Sequence, residues 1–223
     1  MIKELRGLVV PSKFSLLSNF DHGWEHAVLD FMDAHLEPGS LVIGAGAGVG
    51  VTSAYAVAKL GCKVVACEPN TRCLSYLSSM WRTNGVFSQH ARVLVGGLVG
   101  AKYPRAMKRG ATIDSGTVVI RKEDNRKKLN LYSLGELKAS ANGSFGRMPD
   151  ALLLDIEGCE WELMEELPLR GFKLIVAELH PWKPWITESP FDAVNRVLRL
   201  FKDYGYEVRR HEISPLTFAF IRR

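Results

Sequence analysis

Acidic side chains and a histidine stand at the ends of two apolar runs in the second half of the chain. Asp155 and Glu157 follow one run, and Glu178 and His180 follow the next. Two acids after a buried strand are unfavourable unless they act on something, although they could also favour the N-terminus of a following helix. Carboxylates beside an imidazole can exchange protons with a substrate, and Glu178 could orient His180. We predict Asp155, Glu157 and His180 as catalytic residues and Glu178 as a substrate contact.

The same carboxylates could bind a hard cation such as magnesium, through Asp155, Glu157 and Glu178. Their spacing is not diagnostic of a metal site, so we predict none. The four cysteines have no CxxC spacing, which argues against a zinc site and a disulfide framework and favours a reducing cytoplasm; they are Cys62, Cys67, Cys73 and Cys159.

A run of small residues follows an earlier apolar segment and reads Gly44, Ala45, Gly46, Ala47, Gly48. Glycines in such a turn let a ligand approach the backbone, and the next helix offers free N–H groups to an anion. A dinucleotide fingerprint needs glycine at the sixth position, where this chain has Val49. The loop therefore predicts a ligand but disfavours a nicotinamide-dependent oxidoreductase.

A second candidate binding segment is Glu68-Pro69-Asn70, directly after the next apolar strand. A carboxylate at this point can accept both hydroxyls of a ribose. Together with the glycine loop it predicts a nucleoside ligand.

Short apolar strands alternate with amphipathic helices around these segments. The predicted strands cover 40–43, 63–67, 91–95, 151–154, 174–177, 207–211 and 216–221, and the predicted helices include 21–36 and 159–167. This alternation predicts an α/β fold, a parallel sheet covered on both faces, with an antiparallel edge formed by the last strand pair. Ligands of such folds bind at the carboxyl ends of the strands, where the candidate residues stand.

We expect one domain over 1–223, with a helical segment at 1–36 and a basic insertion at 99–148 formed by a hairpin and loops. The net charge of +5 lies in the insertion, because 102–128 carries nine cations and three acids. Such a segment suits an anionic acceptor, and Lys108 and Arg109 are predicted substrate contacts. Trp182, after His180, could form a wall of the substrate pocket or a plug over the sheet.

Composition narrows the class of protein. The chain has 223 residues, of which 47% are hydrophobic and 24% charged, which excludes a disordered protein and suits one globular domain. The stretch between Glu37 and Lys59 has no charge, but its glycines and alanines fit a strand–loop–helix better than a membrane span. We expect a cytoplasmic protein without a signal peptide or a membrane span.

Four segments in fixed order carry a family resemblance: VIGAGAG, VVACEPN, LLLDIEGCEWELM and IVAELHP. Over about residues 36–215 the chain resembles the FkbM family of S-adenosylmethionine-dependent methyltransferases, which methylate hydroxyl oxygens of sugars, lipids or natural products. The resemblance implies a Rossmann-like three-layer sandwich with a mostly parallel seven-stranded sheet. It also implies roles for individual residues. Gly44, Gly46 and Gly48, with Ala45, would cradle the methionine end of the cofactor, Glu68 with Pro69 and Asn70 would hold its ribose, Gly97 and Leu98 would lie near the adenine, and Asp155 and Glu157 would face the methyl group.

One position departs from the family pattern. The first motif usually carries an acid two residues before its first glycine, which helps to order the loop and the cofactor's amino group, and here Val42 stands there. Weaker cofactor affinity, or Asp155 as a substitute acid that binds the cofactor, would follow. We expect O-methylation of a small-molecule, glycan or lipid hydroxyl, with an anionic acceptor favoured. The alternatives are an RNA or nucleotide methyltransferase that uses 102–128, and a non-catalytic cofactor-binding protein, which Val42 would suit.

Overall fold

The computed structural model of the chain describes residues 3–11, 24–100, 110–114, 117–121, 130–180 and 188–223. The strands are β1 (Lys3–Leu5), β2 (Leu8–Val10), β3 (Leu41–Ala45), β4 (Lys63–Glu68), β5 (Ala91–Val95), β6 (Gly97–Val99), β7 (Gly110–Asp114), β8 (Thr117–Arg121), β9 (Leu131–Ser133), β10 (Ala151–Leu154), β11 (Leu174–Glu178), β12 (Tyr206–Arg210) and β13 (Thr217–Arg222). The α-helices are α1 (Trp24–His35), α2 (Val51–Ala58), α3 (Thr71–Thr83), α4 (Leu134–Phe145), α5 (Glu160–Leu163) and α6 (Pro190–Asp203), and a 3₁₀-helix covers Leu167–Arg170.

The central sheet has seven strands in the order β12-β13-β11-β10-β3-β4-β5. All neighbouring pairs from β11 to β5 are parallel, whereas β13 runs antiparallel to both β11 and β12. The predicted mostly parallel sheet with an antiparallel strand pair at one edge is confirmed. The antiparallel strand itself is the second from the edge, because β12 turns back outside it.

Two cores, one on each face of the sheet, give the fold three layers. Alternation along β3 sends Val42 to one face and Leu41 and Ile43 to the other. The first core packs the Val42 face against α1, α2 and α3, and the second core packs the opposite face against α4, α5 and α6. We call the Val42 side the α1 face, and it is the face on which the site described below lies.

The insertion predicted at 99–148 as a hairpin and loops is wrong over 134–145. Residues Leu134–Phe145 form α4, which buries Leu134, Leu137 and Ala141 in the second core. Ser133 and Glu136 form a capping box that starts this helix. The structure does contain the predicted hairpin, in which β7 and β8 pair antiparallel.

The helix predicted over 159–167 is also shorter than expected. The α-helix covers only Glu160–Leu163, and the chain then tightens into the 3₁₀-helix, which has Pro168 in its first turn. In the part of the chain that the structure describes, no helix is long and apolar enough to cross a membrane.

Candidate functional site

Four adjacent strands bring the candidate residues to one edge of the sheet. The strands β11, β10, β3 and β4 are neighbours, and their carboxyl ends point the same way. Alternation directs Gly44, Glu68, Asp155 and Glu178 toward the α1 face, because Val42, Ala66, Leu153 and Val176, two residues earlier in each strand, lie in the first core. A cavity opens there, lined by Val28, Gly44, Ala45, Gly46, Ala47, Thr52, Leu153, Leu154, Asp155 and Val176.

The glycines of the loop have different structural roles. Gly46 has φ +77°, and a Cβ on it would lie 1.6 Å from the carbonyl oxygen of Asp155, so glycine is required by packing. A Cβ on Gly44 or Gly48 would meet no heavy atom of the described residues within 4 Å. Gly44 therefore leaves open room beside the cavity. The Ala45 side chain packs in the second core, and its carbonyl accepts a hydrogen bond from the Asp155 amide at 3.1 Å.

Glu68 fastens the glycine loop to the turn after β4. Its Oε2 accepts from the Gly48 amide at 2.7 Å and its Oε1 accepts from the Asn70 amide at 2.6 Å. Burial raises the pKa of Glu68, and the two backbone hydrogen bonds act against that rise. Asn70 in turn caps α3 by accepting from the Arg72 amide, and Pro69 lies half-buried between them. The predicted ribose contact of this segment stays a prediction.

Gly97 and Leu98 lie in β6, which starts beside the end of β4. The Gly96 amide donates to the Glu68 carbonyl at 3.1 Å, which brings the start of β6 next to the Glu68 segment. The Leu98 side chain, however, is buried in the second core among residues such as Ile43 and Val65. Proximity of this segment to an adenine ring stays a prediction.

The predicted acid–base residues converge at the ends of β10 and β11. His180 Nε2 lies 4.0 Å from Asp155 Oδ1 and 3.8 Å from Glu157 Oε2. One donor atom each from Asp155, Glu178 and His180 lie within 4.8 Å of one another, a set that could bind a divalent cation. Glu157 adopts a left-handed conformation with φ +55°, which is strained for a residue with a side chain.

Sequence reasoning did not assign a role to Glu160, which holds His180 in place. This fully buried carboxylate accepts from the His180 amide and contacts His180 Nδ1, both at 2.8 Å through Oε1, and accepts from the Gly158 amide through Oε2 at 2.7 Å. Glu160 is the carboxylate that contacts Nδ1, and the orientation of the imidazole by Glu178 stays a prediction. With Nδ1 held by Glu160, Nε2 faces Asp155 and Glu157.

Mutual repulsion and burial shift the protonation of this cluster. Burial, and then the charge of Glu178, raise the pKa of Asp155 to about 8. Burial opposes the charged form of His180, but the Glu160 hydrogen bond and the surrounding carboxylates outweigh it and raise the pKa of His180 to about 9. Near neutral pH these shifts favour the imidazolium form of His180 and the protonated form of Asp155.

A further acid that the sequence did not single out comes from α1. Burial, followed by the charge of Asp155, raises the pKa of Glu25 to about 8. The atoms Glu25 Oε2 and Asp155 Oδ1 are buried and accept no hydrogen bond in the structure as described. Buried polar atoms are normally paired, and both oxygens could accept a hydrogen bond from a bound ligand.

Three predicted substrate contacts, Lys108, Arg109 and Trp182, lie outside the described residues, as does most of the basic stretch 102–128. Their roles stay predictions.

Comparisons with known proteins place the chain in a family. The sequence model described as the Methyltransferase FkbM domain matches residues 43–208. A search of curated protein sequences finds no match. Among solved structures, the precorrin-6y C5,15-methyltransferase of Geobacter metallireducens is similar with a TM-score of 0.51 and 13% identity, over 89% of each chain. A putative rRNA methylase from Clostridium thermocellum has a TM-score of 0.50 and 10% identity, over 90% of this chain and 96% of that chain.

These structural similarities concern the fold, which is the Rossmann-like sandwich predicted from the sequence. The family match covers most of the chain, including the glycine loop and both acidic segments. The chain belongs to the FkbM methyltransferase family, and its methyl donor is S-adenosylmethionine.

Proposed function

We propose that the protein is an O-methyltransferase that methylates a hydroxyl of a small molecule, sugar or lipid. The observation that carries this proposal is the carboxylate–imidazole cluster of Asp155, Glu157, Glu178 and His180 beside the glycine loop. A hydroxyl needs a group that takes its proton as the new bond forms, and this cluster supplies one.

The loop and its neighbours fit the cofactor. Gly44 leaves room at the cavity, and Glu68 holds the loop by accepting a hydrogen bond from the Gly48 amide. The orphaned oxygens of Glu25 and Asp155 suit a cationic ligand. When bound, S-adenosylmethionine supplies an electrophilic methyl group on a sulfonium. The chain must then align the acceptor oxygen with that methyl group and exclude competing orientations.

Asp155 is the group best suited to take the acceptor's proton. Its pKa of about 8 makes it a stronger base than an ordinary carboxylate, and it lies close enough to neutral pH to be deprotonated in a useful fraction of molecules. His180, held by Glu160, keeps a positive charge 4.0 Å from Asp155 and so favours the carboxylate form. Glu157 and Glu178 can accept hydrogen bonds from further hydroxyls of the acceptor.

The charge of the cluster also bears on the acceptor. Several carboxylates around one imidazole repel a phosphate at the reacting atom, so the reacting end of the acceptor is a neutral hydroxyl. An anionic group elsewhere on the acceptor would suit the basic stretch 102–128, with Lys108 and Arg109 as the contacts to test.

The test is methyl transfer from radiolabelled S-adenosylmethionine to a panel of sugars, lipids and phenols, with RNA as a separate arm over a salt series. Asp155→Asn and His180→Gln should each lower kcat by about a hundredfold or more, the usual range for acid–base groups. Glu37→Gln, an exposed acid after α1, is the matched control and should leave kcat unchanged.

NMR of the product should find the new methyl group on oxygen. Full turnover in both site variants would remove the acid–base assignment. A methyl group on nitrogen or carbon, or salt-sensitive transfer to RNA alone, would refute the proposed acceptor class.

A further inference from the structure

The acid that the family pattern places two residues before the first glycine is absent from β3. Val42 is fully buried, pairs with Val64 and Ala151 on the neighbouring strands, and packs in the first core. The strand therefore offers no carboxylate on the α1 face, where Gly44 opens onto the cavity. Any acid that replaces it must come from a different element.

Helix α1, which contributes Val28 to the cavity, carries such an acid. Glu25 stands in the first turn of α1, three residues before Val28, and residues at this spacing share a helix face. Val28 lines the cavity together with Gly44 and Asp155. Glu25 Oε2 is buried and accepts no hydrogen bond within the described part of the chain. A carboxyl in that state ionises only at a cost unless a cation joins it, and it otherwise keeps its proton.

Asp155 presents a second orphaned oxygen to the same space. Its Oδ1 is buried without a hydrogen-bond donor among the described residues, and its charge acts on Glu25. The possible metal ligands found in the described residues are Asp155, Glu178 and His180, a set that does not include Glu25. Glu25 is thus not part of that set, and an ammonium group, with three N–H donors, suits its orphaned oxygen.

We propose that Glu25 replaces the acid missing at Val42 and binds the α-ammonium group of the cofactor's methionine moiety. The inference rests on the cofactor-binding half of the proposed function and is independent of the methyl acceptor. It makes Glu25 a residue for affinity toward the amino-acid end of the cofactor, with no part in binding the nucleoside end.

Isothermal titration with two ligands tests this assignment. S-adenosylhomocysteine has the α-ammonium group, whereas 5′-methylthioadenosine keeps the nucleoside and lacks the amino-acid moiety. Glu25→Gln should weaken S-adenosylhomocysteine by about 10- to 100-fold, the range for a charged hydrogen bond, and leave 5′-methylthioadenosine within about twofold. Glu37→Gln should change neither affinity.

Equal weakening of both ligands would overturn the proposal, because Glu25 would then support the pocket as a whole. Unchanged affinity for S-adenosylhomocysteine would overturn it as well. A wild-type protein that binds neither ligand would refute the cofactor site itself, which is a different outcome. Glu25→Asp keeps the charge on a shorter side chain and should retain more preference for S-adenosylhomocysteine than Glu25→Gln. Both affinities are measured on the same variant, so a loss of overall stability would weaken both ligands alike and leave their ratio unchanged.

Discussion

Gly44 and Gly46 stand two residues apart, yet alanine at each should have opposite effects on stability. A Cβ on Gly46 would lie 1.6 Å from the Asp155 carbonyl oxygen, far below contact distance, at a φ of +77°. The left-handed conformation costs about 1–2 kcal/mol for an alanine, and forcing apart a packed backbone costs about 1–3 kcal/mol more. The combined loss of about 2–5 kcal/mol corresponds to a fall in Tm of roughly 4–20 °C for a chain of this size.

Gly44→Ala should leave the ligand-free protein as stable as the wild type or more stable. Gly44 lies inside β3, and its added methyl group would meet no described atom within 4 Å. Alanine in place of a strand glycine gains about 0.5–1 kcal/mol. The methyl group would, however, take up room at the cavity that we assign to the cofactor, so the affinity for S-adenosylhomocysteine should fall at least about tenfold.

Thermal unfolding without ligand, followed by calorimetric titration with S-adenosylhomocysteine, separates the two effects. The expected pattern is a stable Gly44→Ala variant that binds poorly and a destabilised Gly46→Ala variant. Wild-type affinity in Gly44→Ala would refute the placement of the cofactor beside this residue. A wild-type Tm in Gly46→Ala would refute the close approach of the loop to Asp155.

Three further predictions concern the carboxylates. Glu160→Gln removes the negative partner of the His180 imidazole, so the pKa of His180 should fall from about 9. NMR titration of the ring protons would detect this fall, and an unchanged titration would contradict the role of Glu160. Burial holds the pKa of Asp155 above its unfolded value, so this group favours folding at low pH and that benefit is lost as pH rises through about 8. Asp155→Asn should therefore match the wild type in denaturant unfolding near pH 4 and exceed it at pH 8.5, and a difference that does not vary with pH would contradict the shift. In Glu68→Gln the side-chain NH₂ would face one of the two backbone amides that donate to Glu68, and that hydrogen bond would be lost. The free energy of unfolding should fall by about 1–3 kcal/mol. A wild-type Tm would show that the loop does not depend on the Glu68 carboxylate.

The sequence predicts the central sheet well because its strands are short, continuous apolar runs. The strand at Ala151–Leu154 is found where the pattern placed it, and the cap at Asn70 begins α3 as expected. Helix α4 was missed because its residues Leu134–Phe145 are mostly small or polar, with weak helical periodicity. Its one clear signal was local, the capping box of Ser133 and Glu136.

The sequence predicts only those residues of the site that stand at the ends of strands. Parallel strands bring Asp155, Glu178 and His180 together whatever the helices do, so their types and positions were enough. The roles of Glu160 and Glu25 depend on contacts that no spacing reveals. Glu160 reaches His180 because the chain turns sharply after Glu157, whose φ is positive. Helix α1 packs on β11 and β13, and its Glu25 is subject to the charge of Asp155.

The placement of these acids on one face couples cofactor binding to protons. Alternation along the strands directs Glu68, Asp155 and Glu178 to the α1 face, and the charge of Asp155 acts on Glu25 of α1. With pKa values of about 8, Glu25 and Asp155 are mostly protonated at pH 7 in the ligand-free protein. An ammonium group beside Glu25 favours its carboxylate, so binding must release a proton. The enthalpy of S-adenosylhomocysteine binding at pH 7 should therefore vary with the ionisation enthalpy of the buffer, and this variation should weaken above pH 9. Binding without proton release at pH 7 would mean that Glu25 does not meet the cofactor's ammonium group.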